Sequence, residues 1–140
     1  VVNHFQLKGS ILSYQISWEK HGVVQKFYDF ISAAELVSCN EDIYGDSRFD
    51  SIHYQILDLI DVRAAETSDT TEALRVVQRV AAIDSAAAKT NPNVKIAVVA
   101  RLESLGSLAS LYSSELADSP WVCEIFETVA AARQWLGAAP

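Results

Sequence analysis

Ile52-His-Tyr-Gln-Ile-Leu-Asp-Leu-Ile-Asp-Val62, continuing as Arg63-Ala-Ala-Glu-Thr-Ser-Asp-Thr-Thr71, is the stretch whose reading decides the fold. From Ile52 to Ile60 it is almost continuously apolar or aromatic, the pattern of a strand covered on both faces in the middle of a parallel sheet. Tyr54, Ile56 and Asp58 fall on one side of such a strand, and Leu57 and Leu59 on the other. Residues 66–71 are all acid or hydroxyl, types that cap helix N-termini. A strand that empties into a helix start is half of a β-α-β unit, and the other segments arrange themselves around it.

On the N-terminal side, Leu12, Tyr14, Ile16 and Trp18 alternate with Ser13, Gln15 and Ser17, which marks a strand with one buried face. A polar break, Glu19-Lys-His-Gly22, then offers a Gly able to take positive φ, and Val23 to Phe30 resumes an aromatic and β-branched run, so an antiparallel hairpin is expected. Ser32-Ala-Ala-Glu35 is a capping box that starts a helix fading between Asn40 and Tyr44, after which Arg48 and Phe49 lead into the central strand.

On the C-terminal side, Ala73, Val76, Val77, Val80, Ile83 and Ala87 recur at helical spacing, and Asn91-Pro-Asn93 stops that helix. Val94 to Ala100 reads as a strand, and Leu105, Leu108, Ala109, Tyr112 and Leu116 as an amphipathic helix ended by Asp118-Ser-Pro120. Trp121 to Phe126 reads as the last strand, with Val129, Ala132 and Leu136 on a final helix before Gly137.

The order β-β-α-β-α-β-α-β-α predicts an α/β fold (α+β in some schemes): an N-terminal antiparallel hairpin joined to a mixed sheet with parallel later strands, helices packed on it, over one domain spanning 1–140. Ligands of such sheets bind beyond the carboxyl ends of the parallel strands, here Asp61 to Thr71 and Arg101 to Ser104.

The chain has 140 residues, half of them hydrophobic, enough to bury about 70% of its unfolded surface. Eighteen acids against 11 bases give a formal charge of −7, which opposes nucleic acid and anionic membranes as partners. No apolar stretch approaches the roughly 20 residues of a membrane helix, and no signal-peptide pattern opens the chain, so a cytoplasmic location is expected. Cys39 and Cys123 read as two reduced thiols.

With these elements in place, the sequence resembles the STAS-type domains of anti-sigma-factor antagonists, and more closely short SpoIIAA-like proteins. The likeness is carried by Asp46-Ser-Arg-Phe49 leading to Leu57-Asp-Leu-Ile-Asp-Val62, by Lys95-Ile-Ala-Val-Val99, by Leu108-Ala-Ser-Leu-Tyr112, and by Glu124-Ile-Phe126 with Ala131, Ala132, Trp135 and Leu136. It covers the chain from about Phe30 onward. In phosphorylated members a Ser in an Asp-Ser-Ser-Gly segment after the central strand is a switch. The resemblance sets Glu66, Thr67 and Ser68 at the acid and hydroxyl positions and Asp69 where that pattern has Gly. A phosphate on Ser68 would meet neighbouring acids as well as a helix N-terminus.

The partial motif and the absence of catalytic constellations point to a non-enzymatic interaction or regulatory module working through the surface after the central strand. Its candidate residues are Asp58, Asp61, Ser68, Thr70, Thr71 and Arg101, with a protein partner or self-association expected through the aromatic hairpin edge or an apolar helix face. The alternative is a carrier or sensor of a small apolar or acidic ligand held between helix and sheet. Asp58, an acid in an apolar strand, needs a partner, for which Arg63 and Arg101 are the candidates. His4, His21 and His53 lack metal-site spacing, and neither a nucleophile elbow nor a Gly-rich phosphate loop is present, so no metal, cofactor or catalytic residue is expected.

Overall fold

A computed structural model of the chain describes residues 2–3, 6–7, 10–11, 14–65 and 70–138. Its strands are β1 (Val2–Asn3), β2 (Gln6–Leu7), β3 (Ser10–Ile11), β4 (Tyr14–Trp18), β5 (Gly22–Ile31), β6 (Tyr54–Ala65), β7 (Lys95–Val99) and β8 (Val122–Phe126). The helices are α1 (Ala33–Tyr44), α2 (Thr70–Thr90), α3 (Leu102–Glu115) and α4 (Val129–Leu136), with a 3₁₀ turn at Ser47–Ser51. The main sheet has the order β1-β4-β5-β6-β7-β8, and β2 and β3 form a separate hairpin. The β4–β5 pair is antiparallel, and β5 through β8 run parallel. This is the α/β fold with an N-terminal hairpin that the sequence order predicts.

Three boundaries differ from expectation. Arg48 and Phe49 sit in the 3₁₀ turn rather than leading straight into a strand, because the Asp46 side chain accepts the Arg48 backbone N–H and closes the turn. Strand β6 runs past Ile60 to Ala65, since the end of β5 pairs with it through Asp29↔Val62, Phe30↔Ala64 and Ile31↔Ala65. That extension absorbs two register shifts, and Asp29 takes φ 56 there, the one positive φ at a non-Gly residue among those described. The edge of the hairpin is also less open than expected, because β1 pairs with β4 at Val2↔Gln15 and Asn3↔Tyr14.

Helices α1, α2 and α3 cover one face of the sheet, where Tyr14, Ile16, Phe27, Ile43, Leu57, Val80, Val98, Leu105 and Leu116 form the larger core. Helix α4 covers the other, packing Ala132 and the flank of Trp135 on Tyr54, Ile56, Ala97 and Val99. Of the hairpin aromatics, Tyr14 and Phe27 are core, with ring centroids 5.6 Å apart. Trp18 lies half-buried beneath the Arg48 guanidinium, and Phe30 is 62% exposed. Cys39 is a buried free thiol and Cys123 a half-buried one.

The amino ends of the strands are tied by polar groups. Buried Asn91 donates through Nδ2 to the carbonyls of Phe49 and Ile52, both at 2.9 Å, and its own carbonyl accepts the Trp121 indole N–H at 2.6 Å. Glu19, in the β4–β5 turn, receives both terminal nitrogens of Arg133 on α4 at 3.0 and 2.7 Å, and the Tyr54 hydroxyl also donates to it. The Arg133 hydrogen bonds hold the Glu19 carboxyl below its ordinary range against the opposing effect of burial.

Gly22 serves this end differently from the sequence expectation. It has no positive φ; a Cβ there would lie 2.2 Å from Cε1 of the Tyr54 ring, so the missing side chain makes room for that ring. Gly22→Ala is therefore expected to lower unfolding stability by about 1–3 kcal/mol, the usual range for overpacking. Urea denaturation of the two proteins would measure it, and an unchanged midpoint would contradict the packing described.

Candidate functional site

Where α1, α2 and α3 start, at the carboxyl ends of β5, β6 and β7, they leave a cavity of about 350 Å³ against the sheet. Its floor is Leu57 and Leu59 of β6 with Val98 of β7, and its walls include Leu36 of α1, Val76, Val77 and Val80 of α2, and Leu105 and Leu108 of α3. The local sequence explains the shape. The inward face of α2 carries Ala and Val rather than long side chains, and Ala109 is its small counterpart on α3, so no described side chain spans the gap between the helices. A site at this end of the sheet is what the topology predicts.

Below the cavity the helices are joined by a buried carboxylate. Asp84 of α2 is 3% exposed and accepts from the Tyr44 hydroxyl and from Asn40 Nδ2 at 3.4 Å, both on α1, and from the Tyr112 hydroxyl on α3. Tyr112 also lines the cavity, so one ring belongs to both. The polar chain continues from Tyr44 to Gln55, from Gln55 to Gln25 at 2.9 Å, and from Gln25 to the Cys39 thiol. Among the described residues no buried side-chain nitrogen or oxygen is left without a partner. Burial pushes the Asp84 carboxyl up to about 6, with the Tyr112 and Tyr44 hydrogen bonds pulling partly the other way. The same burial raises both tyrosines well above their ordinary values, so they act as donors.

The residues singled out from the sequence do not converge. Asp58 and Asp61 lie on the opposite face of the sheet from the cavity. Their partner is Lys26 of the neighbouring strand β5, whose Nζ is 3.0 Å from Asp58 and 2.9 Å from Asp61. This corrects the expected Arg63 or Arg101. Parallel register places Lys26 beside Asp58, whereas Arg63 points to Asp29 at 3.6 Å and Arg101 is exposed at the start of α3, without an ion pair among the described residues. The other Asp58 oxygen accepts the Ile60 N–H at 3.1 Å within the bulged segment. Burial pulls the Lys26 ammonium down, but hydrogen bonds to Asp61 and Asp58 outweigh it and leave the group raised.

Thr70 begins α2, Thr71 is exposed on its first turn, and Ser68 lies outside the described residues. His21 and His53, far apart in sequence, stand at the amino end with ring centroids 5.8 Å apart, because the parallel register aligns Gly22 with Tyr54. Among the described residues no group of three or more His, Cys, Asp or Glu side chains is arranged to hold a metal ion, and no helix is long and apolar enough to cross a membrane.

A pocket between helix and sheet was one of the two sequence expectations, but the residues that line it and the Asp84 cluster were not foreseen. A signal was present in the run of Ala and Val on one face of α2, interrupted by an acid at Asp84 on a face that had to be buried. No family model matches the chain, and no curated protein matches it.

Two outcomes follow from these acids. Removing the partner of Asp58, in Lys26→Met, leaves a buried carboxylate supported only by one backbone N–H and is expected to cost about 1–3 kcal/mol. The double variant Lys26→Met/Asp58→Leu should regain much of that loss in urea unfolding. For Asp84, the folded value of about 6 lies above the roughly 3.9 of an unfolded aspartate. Below pH ~4 both states are protonated and the group is neutral to stability; as pH rises to about 6 the unfolded chain loses the proton first, so this group's contribution turns unfavourable. Asp84→Asn should therefore show a stability difference from wild type that shifts in the variant's favour, by on the order of 2 kcal/mol, between pH 4 and 7. A difference constant across that range would show that Asp84 does not titrate as described.

Proposed function

We propose that this chain is a non-enzymatic binding domain that carries or senses a small apolar molecule in the cavity between α1, α2, α3 and the sheet. The observation that carries this reading is the cavity itself: about 350 Å³, within the size range of small-molecule sites, lined almost wholly by aliphatic side chains, and placed at the carboxyl ends of parallel strands. An interaction module working through the surface after Val62 has less behind it. Asp58 and Asp61 are engaged with Lys26 on the far face from Thr71, so these residues do not form one surface.

The resemblance to SpoIIAA-like proteins of STAS type accords with a non-enzymatic role, and we propose that the fold is of that type. The support is the order of elements, with Leu57 to Val62 in the middle of the sheet and Trp135 of the last helix in tilted ring contact with Phe126 of the last strand, centroids 5.5 Å apart.

Titration with the uncharged fluorophore N-phenylnaphthylamine tests the reading. Wild type is expected to enhance its emission saturably. Val77→Phe, which fills the cavity from α2, should weaken binding roughly tenfold or more, a loss of about 1.4 kcal/mol for each factor of ten. The same variant should unfold at no lower temperature than wild type. Absence of binding to wild type, or binding indifferent to the filled cavity, would overturn the proposal.

A further inference from the structure

The cavity's lining says what kind of apolar molecule suits it. No Lys, Arg or His is among its described lining residues, and its one charged group is an acid, Glu72, on the first turn of α2, which pairs at 3.8 Å with the exposed Arg75 outside the lining. The two uncharged polar side chains of the lining are already engaged. Ser32 Oγ accepts the Glu35 N–H and donates to Glu35 Oε1, each at 3.1 Å, and the Tyr112 hydroxyl donates to Asp84. A carboxylate or phosphate drawn into this space would lose its hydration and meet no cation among the lining side chains, and the Arg75 guanidinium outside the lining is already compensated by Glu72 at 3.8 Å, against a background of net charge −7. A hydrocarbon chain would lose little by entering and would gain dispersion contacts with branched aliphatic walls.

We infer that the cavity selects electrically neutral, single-chain amphiphiles and rejects their anionic counterparts. This rests on the cavity being a ligand site, and it adds the charge class of the ligand. The alkyl chain lies along Leu57, Leu59, Val76 and Leu108, and the uncharged polar end stays at the mouth near Glu72.

Competition against bound N-phenylnaphthylamine at pH 8, below micelle-forming concentrations, compares dodecanol with dodecanoate, which share a chain length and differ in charge. Dodecanol is expected to displace the probe at a concentration at least roughly tenfold lower. Glu72→Lys, which puts a cation at the mouth, should narrow that gap by strengthening dodecanoate. Equal displacement by the two amphiphiles in wild type, or stronger displacement by dodecanoate, would overturn the inference while leaving the cavity a ligand site. Displacement by neither overturns it too, since a neutral amphiphile then fails to enter. Failure of the probe itself to bind is the separate result that removes the underlying reading.

Discussion

A single buried carboxylate sets the spacing of the three helices on the larger face of the sheet. Asp84 reaches from α2 to Tyr44 and Asn40 on α1 and to Tyr112 on α3. Hydrogen bonds fix distance and direction where apolar contacts do neither, so the helices are held at one level, near the amino ends of the strands. Above that level Leu36 of α1 and Leu105 and Leu108 of α3 face mostly Ala and Val on α2, with Ala109 small on α3, and a cavity is left between them. The cavity follows from a rigid tie below and small side chains above.

The other face is organised differently because only α4 covers it. That helix has eight residues and shields Tyr54, Ile56, Ala97 and Val99, with Val24 of β5 and Ile60 also packed on this smaller cluster. Lys26 lies there between Asp58 and Asp61, and Glu19 binds Arg133 at the opposite end. The sheet thus has an apolar face with a cavity against it and a face on which Lys26 with Asp58 and Asp61, and Glu19 with Arg133, satisfy one another. Asp58 is the acid that the apolar central strand made conspicuous, yet its surroundings describe a cross-strand tie over a bulge, with Ile60 N–H as its second partner.

The order of elements was legible in the sequence because period and capping are local. Ser32 caps α1 through the Glu35 N–H three residues on, and Gly137 ends α4 in the left-handed region. The central strand was legible from composition alone. What could not be read were the relations across strands. Lys26 is paired with Asp58 by parallel register, His21 meets His53 by the same register, and Gly22 is required by a ring thirty-two positions away, at Tyr54. A residue's neighbour in the next strand depends on a register set by the whole sheet, which a local pattern does not encode. A pocket between helix and sheet was expected from the topology, but its lining was hidden for the opposite reason: it is shaped by what Ala73, Val77 and Ala109 lack, and small apolar residues at helical spacing look the same whether the helices meet or stand apart.

An apolar cavity of this size is a cost to an empty domain, since its lining loses dispersion contacts on one side. The cost could be removed by closing the helices together or by longer side chains on α2. The Asp84 tie resists the first, because a shift of α1 or α3 toward the sheet centre would strain hydrogen bonds to a carboxylate that has no water to fall back on. The second would need only Val to Leu or Ile changes, which leave helix propensity no worse. A lining of Val and Ala above a polar tie therefore holds the helices apart without filling the space between them. A hydrocarbon chain restores the missing contacts at little desolvation cost, and a charged one does not, so the same feature that leaves the cavity open also limits what can occupy it.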